Sequence, residues 1–338
     1  MMVFHWHGNR AGLDYRGGAR PPATGIGDLK AMGVTHVGVP MHHEGGSHDG
    51  YNYITGLVNA GFKIVRCVEL PWNAGVREGH YNGAIDLGRI LNEWDTAAHP
   101  GEFFQDFARN LELPMDGIAW NLEHDILNID RYPVTGDDLA FYEEAYGRRL
   151  ASGLTPTNAD LSQMRCLQFA LLMRMYADMA EKKAGKVLTS IAYSGYPGAE
   201  YRGLPLDQAY GVDWRLHTGT LHWNGSHFPG IRYAMCSFPS EKLIAECKPP
   251  YPQILHTMNS IQETSPSTID ERRIRKLMVN RLERMRPEDG MGFVASHYFT
   301  WTASDGRLAI LLSEAKAEHA LNQSTWWRRA LHWIRRWL

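Results

Sequence analysis

The chain has 338 residues, 44% of them hydrophobic and 21% charged, and a formal net charge of −2. That balance excludes an intrinsically disordered chain, and it creates no whole-molecule field that would draw nucleic acid. Function must come from local sites, and the 16 His and 11 Trp are the composition's departure toward polar, ring-lined pockets.

The opening residues, Met1 to His7, carry neither the basic start nor the apolar run of a signal peptide. No stretch reaches the roughly eighteen apolar residues of a membrane span. A cytoplasmic protein is expected, or a secreted or periplasmic one if a leader has been removed. Cys67, Cys166, Cys236 and Cys247 are widely spaced and form no CxxC pair, so buried free thiols are expected rather than a structural zinc site.

In chain order, short β-like runs alternate with amphipathic stretches. Strands are predicted over residues 3–7, 35–39, 63–70, 117–123, 186–193, 211–216, 253–257 and 291–297, with 231–236 as an accessory strand or part of the sixth unit. Helices are predicted over 27–32, 51–60, 101–111, 137–150, 159–184, 240–247, 269–286 and 307–321. Eight strands interleaved with helices is the count at which a parallel sheet closes, so the fold class is α/β, a single-domain (β/α)8 TIM barrel. A doubly wound open sheet would call for a Gly-rich nucleotide turn, and no GxGxxG or P-loop pattern occurs. The expected barrel covers residues 1–322, with a basic amphipathic helix over 323–338. The long connections (41–50, 71–83, 124–136, 194–205 and 218–230) all follow strands, on the side where barrel active sites sit.

The fourth strand is the most informative segment. Alternation puts Ile118, Trp120 and Leu122 on one face, suited to the outer helices, and Ala119, Asn121 and Glu123 on the other, rising toward the barrel mouth. A partly desolvated carboxyl there has a raised pKa and can donate a proton near neutrality. Asn121 could hold a substrate amide or hydroxyl, and Asp125 is close enough in sequence to share the chemistry.

The run Asp116-Gly117-Ile118-Ala119-Trp120-Asn121-Leu122-Glu123 resembles the fourth-strand signature of family 18 chitinases, Asp-Gly-x-Asp-x-Asp-x-Glu. Asp116, Gly117 and Glu123 match it; Ala119 and Asn121 replace its other two Asp. The Asn-x-Glu ending is more similar to the family 85 endo-β-N-acetylglucosaminidases. The resemblance covers about eight residues. It implies Glu123 as general acid and Asn121 as the group that steers a substrate acetamido oxygen onto the anomeric carbon, a substrate-assisted retaining mechanism.

A two-carboxylate glycosidase would need a partner about 5–10 Å from Glu123. Glu69, Asp213, Glu263 and Asp125 are the candidates, and none is better placed than the rest, which favours substrate assistance. For sugar contacts the aromatic and polar candidates are Trp72, Tyr193, Trp223, Tyr298 and Trp301, with His5, His7, Glu69, Asp213 and His256.

Two alternatives stay open. His5 and His7, two apart on the first strand, could bind a metal with Glu123, His217, His256 or His297 in an amidohydrolase-like hydrolase. The barrel could also bind sugar without catalysis. The leading expectation is a glycoside hydrolase with a carbohydrate substrate, no cofactor and no nucleic-acid partner. On a helix, Trp327, Ala330, Leu331, Ile334, Trp337 and Leu338 share one face, so residues 323–338 are expected to dock on their own domain, join a homo-oligomer or touch a membrane surface.

Overall fold

The computed structural model describes residues 2–7, 26–31, 33–40, 48–69, 86–92, 111, 114–122, 125–147, 157–194, 200–236, 253–256, 271–286, 288–295 and 307–337. The chain runs through β1 (Met2–His7), α1 (Ile26–Ala31), β2 (His36–Pro40), α2 (His48–Asn59) and β3 (Lys63–Glu69). Next come α3 (Leu87–Asn92), β4 (Gly117–Leu122), α4 (Gly136–Tyr146), α5 (Asn158–Ala184) and β5 (Thr189–Ser194). A small hairpin, β6 (Glu200–Tyr201) with β7 (Leu204–Pro205), leads into the one-turn α6 (Leu206–Ala209). A 3-10 turn (Trp214–His217) and a second hairpin, β8 (Leu221–Trp223) with β9 (Ser226–Phe228), follow. The chain closes with β10 (Tyr233–Cys236), β11 (Gln253–His256), α7 (Glu271–Arg284), β12 (Gly290–Ala295) and α8 (Arg307–Trp337).

Eight strands form a closed barrel in the order β1-β12-β11-β10-β5-β4-β3-β2, so strands adjacent along the chain are adjacent in the sheet. Every barrel pairing with a described register is parallel. This is the expected TIM-barrel fold. The expected helix over 101–111 lies outside the described residues except for Leu111, and the one over 240–247 lies outside them entirely. By internal packing the chain divides into Gly38–Gln253 and a second unit of Met1–Val37 with Ile254–Leu338.

In the first of these, β4 is held at its amino end by Asp116. The Asp116 amide donates to the Ile64 carbonyl at 2.7 Å, and its own carbonyl accepts from the Thr189 amide at 2.9 Å. The Asp116 carboxylate accepts from the Ile64 amide at 2.9 Å and from Lys186 Nζ at 2.7 Å. Burial works against its charge, but these hydrogen bonds and the lysine outweigh it and hold its carboxyl below the usual range. Gly117 follows because a Cβ there would lie 2.5 Å from the Thr189 carbonyl oxygen. Asp116 and Gly117 thus join β3, β4 and β5 at the amino end of β4.

Val68, Ile118, Trp120, Leu122, Ala192 and Ala234 form one core with Leu87 and Ile90 of α3, Phe141 of α4, and Met164, Phe169 and Leu172 of α5. Each fully buried Val, Leu, Ile, Phe or Met side chain among them contributes roughly 1.5–3 kcal/mol. The expected outward face of β4 is therefore the observed one. At its centre is a buried polar knot. Asp138 accepts from the Gly88 amide at 3.0 Å, the Thr135 amide at 3.2 Å and Gln168 Nε2 at 2.8 Å. Arg165 clasps the same carboxylate at 2.7 and 3.0 Å and also donates to the Tyr132 and Pro133 carbonyls. Thr135 and Asp138 close a reciprocal capping box at the start of α4, and Gly147, at φ 63°, ends that helix before the expected residue 150.

The sixth barrel strand is β10, not residues 211–216. Val212, Trp214 and Leu216 alternate as a strand would, but Gly211 stands at φ +87° against Phe169, and Asp213 caps a 3-10 turn. Arg174 of α5 holds that turn in place. Its guanidinium donates to the carbonyls of Leu216, Thr218, Gly219 and Phe228. Not predicted from the sequence are α3, with Leu87, Ile90 and Leu91 at helical spacing, the β6–β7 hairpin with α6, and the β8–β9 hairpin, with Asn224 and Gly225 both at positive φ.

In the second unit, β12 pairs with both β1 and β11, and α7 packs on α8. Helix α8 runs as one helix across residue 322, since nothing between Arg307 and Trp337 is a Gly or Pro that could interrupt the backbone ladder.

Candidate functional site

The register of the parallel strands builds the site. Glu69 of β3, Asn121 of β4, Tyr193 of β5 and Met235 of β10 are successive Cα partners, a single row across four neighbouring strands. One step deeper in the same phase, Cys67, Ala119, Ile191 and Tyr233 form the next row. The residues between these rows, Val68, Trp120, Ala192 and Ala234, all belong to the core shared with the helices. The two rows therefore fall to the barrel's interior phase. Of the upper row, Tyr193 and Met235 are buried.

The upper row stands at the carboxyl ends of its strands: Glu69 is the last residue of β3, and Asn121 and Tyr193 are each next to last in β4 and β5. Glu123 comes one residue after the end of β4 and lies outside the described residues, as do Trp72, Glu263, His297, Tyr298 and Trp301. His5, His7, Glu69, Asn121 and His256 are described by their backbone positions.

The loop after β4 is anchored. Asp125 accepts from the Leu127 amide at 3.0 Å and from the Tyr201 hydroxyl at 3.3 Å, with Arg202 at 3.6 Å. Its oxygens tie this loop to the β6–β7 hairpin. Asp213 is similarly occupied: it accepts from the Arg215 amide at 3.0 Å and pairs with the Arg215 guanidinium. Its expected position on a sixth strand is corrected with that strand. Trp223, expected as a sugar platform, is buried in the core with its ring 4.4 Å from that of Phe141, because the β8–β9 hairpin turns it onto α4.

For the metal reading, the register separates the histidines of one unit. His256 pairs with Gly292, which pairs with Phe4, whereas His5 and His7 pair with Phe293 and Ala295. His256 is therefore out of phase with His5 and His7. His217, another candidate ligand, is fully buried in the 3-10 turn beside Trp214, at 5.4 Å between ring centroids. Burial first, and the charge of Arg174 second, lower its pKa to about 3, against a weaker upward pull from Asp213. It is a neutral core histidine. Among the described residues no three His, Cys, Asp or Glu side chains group as metal ligands would.

No family model matches the chain, and no curated protein matches it in sequence. Among solved structures, the isomaltulose synthase of Klebsiella sp. LX3 aligns at 9% identity and a TM-score of 0.46, over 87% of this chain and 64% of that one. The chain thus spans under two thirds of that enzyme's length. A chitinase of Rhizomucor miehei aligns at 10% identity and a TM-score of 0.45, over 93% of this chain and 100% of that one. A D-psicose 3-epimerase aligns at 11% identity and a TM-score of 0.38, over 96% and 98%.

Proposed function

We propose that the chain is a carbohydrate-active barrel enzyme, a glycoside hydrolase in which Glu123 protonates the leaving glycosidic oxygen. The observation that carries this reading is the level row of Glu69, Asn121 and Tyr193 at the carboxyl ends of three adjacent strands, with Glu123 following β4 directly. Barrel enzymes assemble their chemistry at that end. The row offers an acid, an amide and a phenol within one wall, the set a sugar needs for its hydroxyls and an acetamido group.

The mechanism follows from what each group can do. A sugar alkoxide leaves poorly, and a positioned carboxylic acid that protonates it contributes typically 10²–10⁴-fold. A positive charge then develops at the anomeric carbon and needs a nucleophile or an anion. Asp125 and Asp213 are occupied by Tyr201, Arg202 and Arg215, which narrows the choice of a protein carboxylate. In this reading the substrate's own acetamido oxygen attacks, held by Asn121, and Glu123 returns as the base that activates water. Glu69 and Tyr193 orient the ring hydroxyls.

The test is a screen of aryl N-acetylhexosaminides and chito-oligosaccharides, followed by Glu123→Gln and Asn121→Ala on whichever is cleaved. Glu123→Gln lowers kcat at least about 10²-fold with an unchanged near-UV spectrum. Asn121→Ala should reduce cleavage of N-acetylated sugars much more than that of sugars bearing a 2-hydroxyl. Full activity in Glu123→Gln would end this reading.

A further inference from the structure

Helix α8 outruns its partner. Its 31 residues span about 46 Å, against about 21 Å for the 14 residues of α7. The first half is docked: Leu311, Leu312 and Ala315 are buried, and Arg275 of α7 reaches Glu314 at 3.0 Å and Glu318 at 3.2 Å. Past this clasp every residue from 320 to 326 is exposed. Seven successive helical positions go almost twice around the axis, so the exposure extends around the helix there. Where the two helices part, Glu283, Asn322, Gln323, Thr325 and Trp326 line an open hollow of about 680 Å³.

The residues that follow are sorted by sign and polarity. At 100° per residue, Trp327, Ala330, Leu331, Ile334 and Trp337 share one arc, with Trp326 and Trp333 on its flank. Arg328, Arg329, Arg335 and Arg336 take the remaining arc, and Arg329 and Arg335 border the apolar side on its two edges. No Asp or Glu follows Glu318. Leu321 is 63% exposed, Trp326 58% and Ile334 46%.

We infer that residues 320–337 of α8 lie along an anionic lipid surface, with the tryptophan arc in the headgroup–acyl boundary and the bordering arginines on lipid phosphates. Indole rings favour that boundary, being apolar with one polar handle. Guanidinium groups complement phosphate, and long side chains at the edges of the arc can reach it. No helix among the described residues is long and apolar enough to cross a membrane, so the contact is a surface one. A second copy of the chain would bring four arginines against four of the same sign, and a nucleic acid would take the arginines but leave the tryptophan arc in water.

The experiment is co-sedimentation of the full chain with vesicles of phosphatidylcholine alone and of phosphatidylcholine with phosphatidylserine. Binding is expected only to the serine-containing vesicles, weakening as salt rises. Each arginine near the surface accounts for about fivefold in affinity, so Arg329→Gln with Arg335→Gln should weaken binding about 25-fold. Ile334→Glu should remove it, with far-UV helicity unchanged in all variants. Failure to bind the anionic vesicles, or equal binding to both kinds, would overturn the inference. So would a homodimer in solution that Ile334→Glu dissociates, or duplex DNA binding in the absence of vesicle binding.

Discussion

Asp138→Asn tests the packing that carries the site. The carboxylate is fully buried and accepts from five donors: the amides of Gly88 and Thr135, Gln168 Nε2, and both terminal nitrogens of Arg165. An amide is nearly the same shape, but whichever way it is turned its NH2 faces two or three of those donors. Arg165, itself fully buried, keeps its charge and loses its counter-ion. Removing one partner of a buried pair typically costs about 3–5 kcal/mol, against a total stability of roughly 5–15 kcal/mol. Urea unfolding followed by tryptophan fluorescence should show that loss as a lower midpoint. Lys182→Ala, at the exposed pair with Asp178, is the control and should cost about 1 kcal/mol or less. Because Arg165 also holds the Tyr132 and Pro133 carbonyls, the loop after β4 should loosen, and limited proteolysis should reach residues 125–135 first. A midpoint for Asp138→Asn equal to that of Lys182→Ala would refute the argument.

Gly117→Ala should destabilise by about 1–3 kcal/mol or more, since the new methyl must push β5 from β4 at the Thr189 carbonyl; thermal melts that match wild type would contradict the close approach. His217 makes stability depend on acid. Its unfolded form takes up a proton below about 6.5 and its folded form only near 3, so the unfolded state binds more protons between these values and stability falls as pH drops through that window. Between pH 7 and pH 5 this amounts to about 2 kcal/mol. His217→Phe should remove that increment, so the wild-type-minus-variant difference in unfolding free energy shrinks by it at pH 5; a difference that ignores pH would contradict the burial argument.

The barrel was readable because its strands are short apolar runs that end at or just before a proline, such as β2 at Pro40 and β3 ahead of Pro71. Residues 211–216 misled because alternation alone cannot reveal the φ of Gly211 or the carbonyl cage that Arg174 provides from α5. Trp223 misled for a related reason: a Trp in a long loop reads as a platform until the Asn224-Gly225 turn is seen to fold it onto Phe141. The fourth-strand resemblance also divides on physical grounds. Asp116 and Gly117 fulfil structural roles at the amino end of β4, so its chemical content rests on Asn121 and Glu123. The row with Glu69 and Tyr193 was beyond the sequence, since it depends on register between strands that lie more than fifty residues apart.

The proposed proton transfer from Glu123 to the leaving oxygen can be isolated by varying the leaving group. Its most direct measurement compares Glu123→Gln with wild type on two N-acetylhexosaminides, one with an alkyl leaving group and one with a dinitrophenyl group that departs without a proton. A loss of about 10²–10⁴-fold in kcat is expected on the first and a far smaller loss on the second. Equal losses on both, or none on the alkyl glycoside, would contradict it.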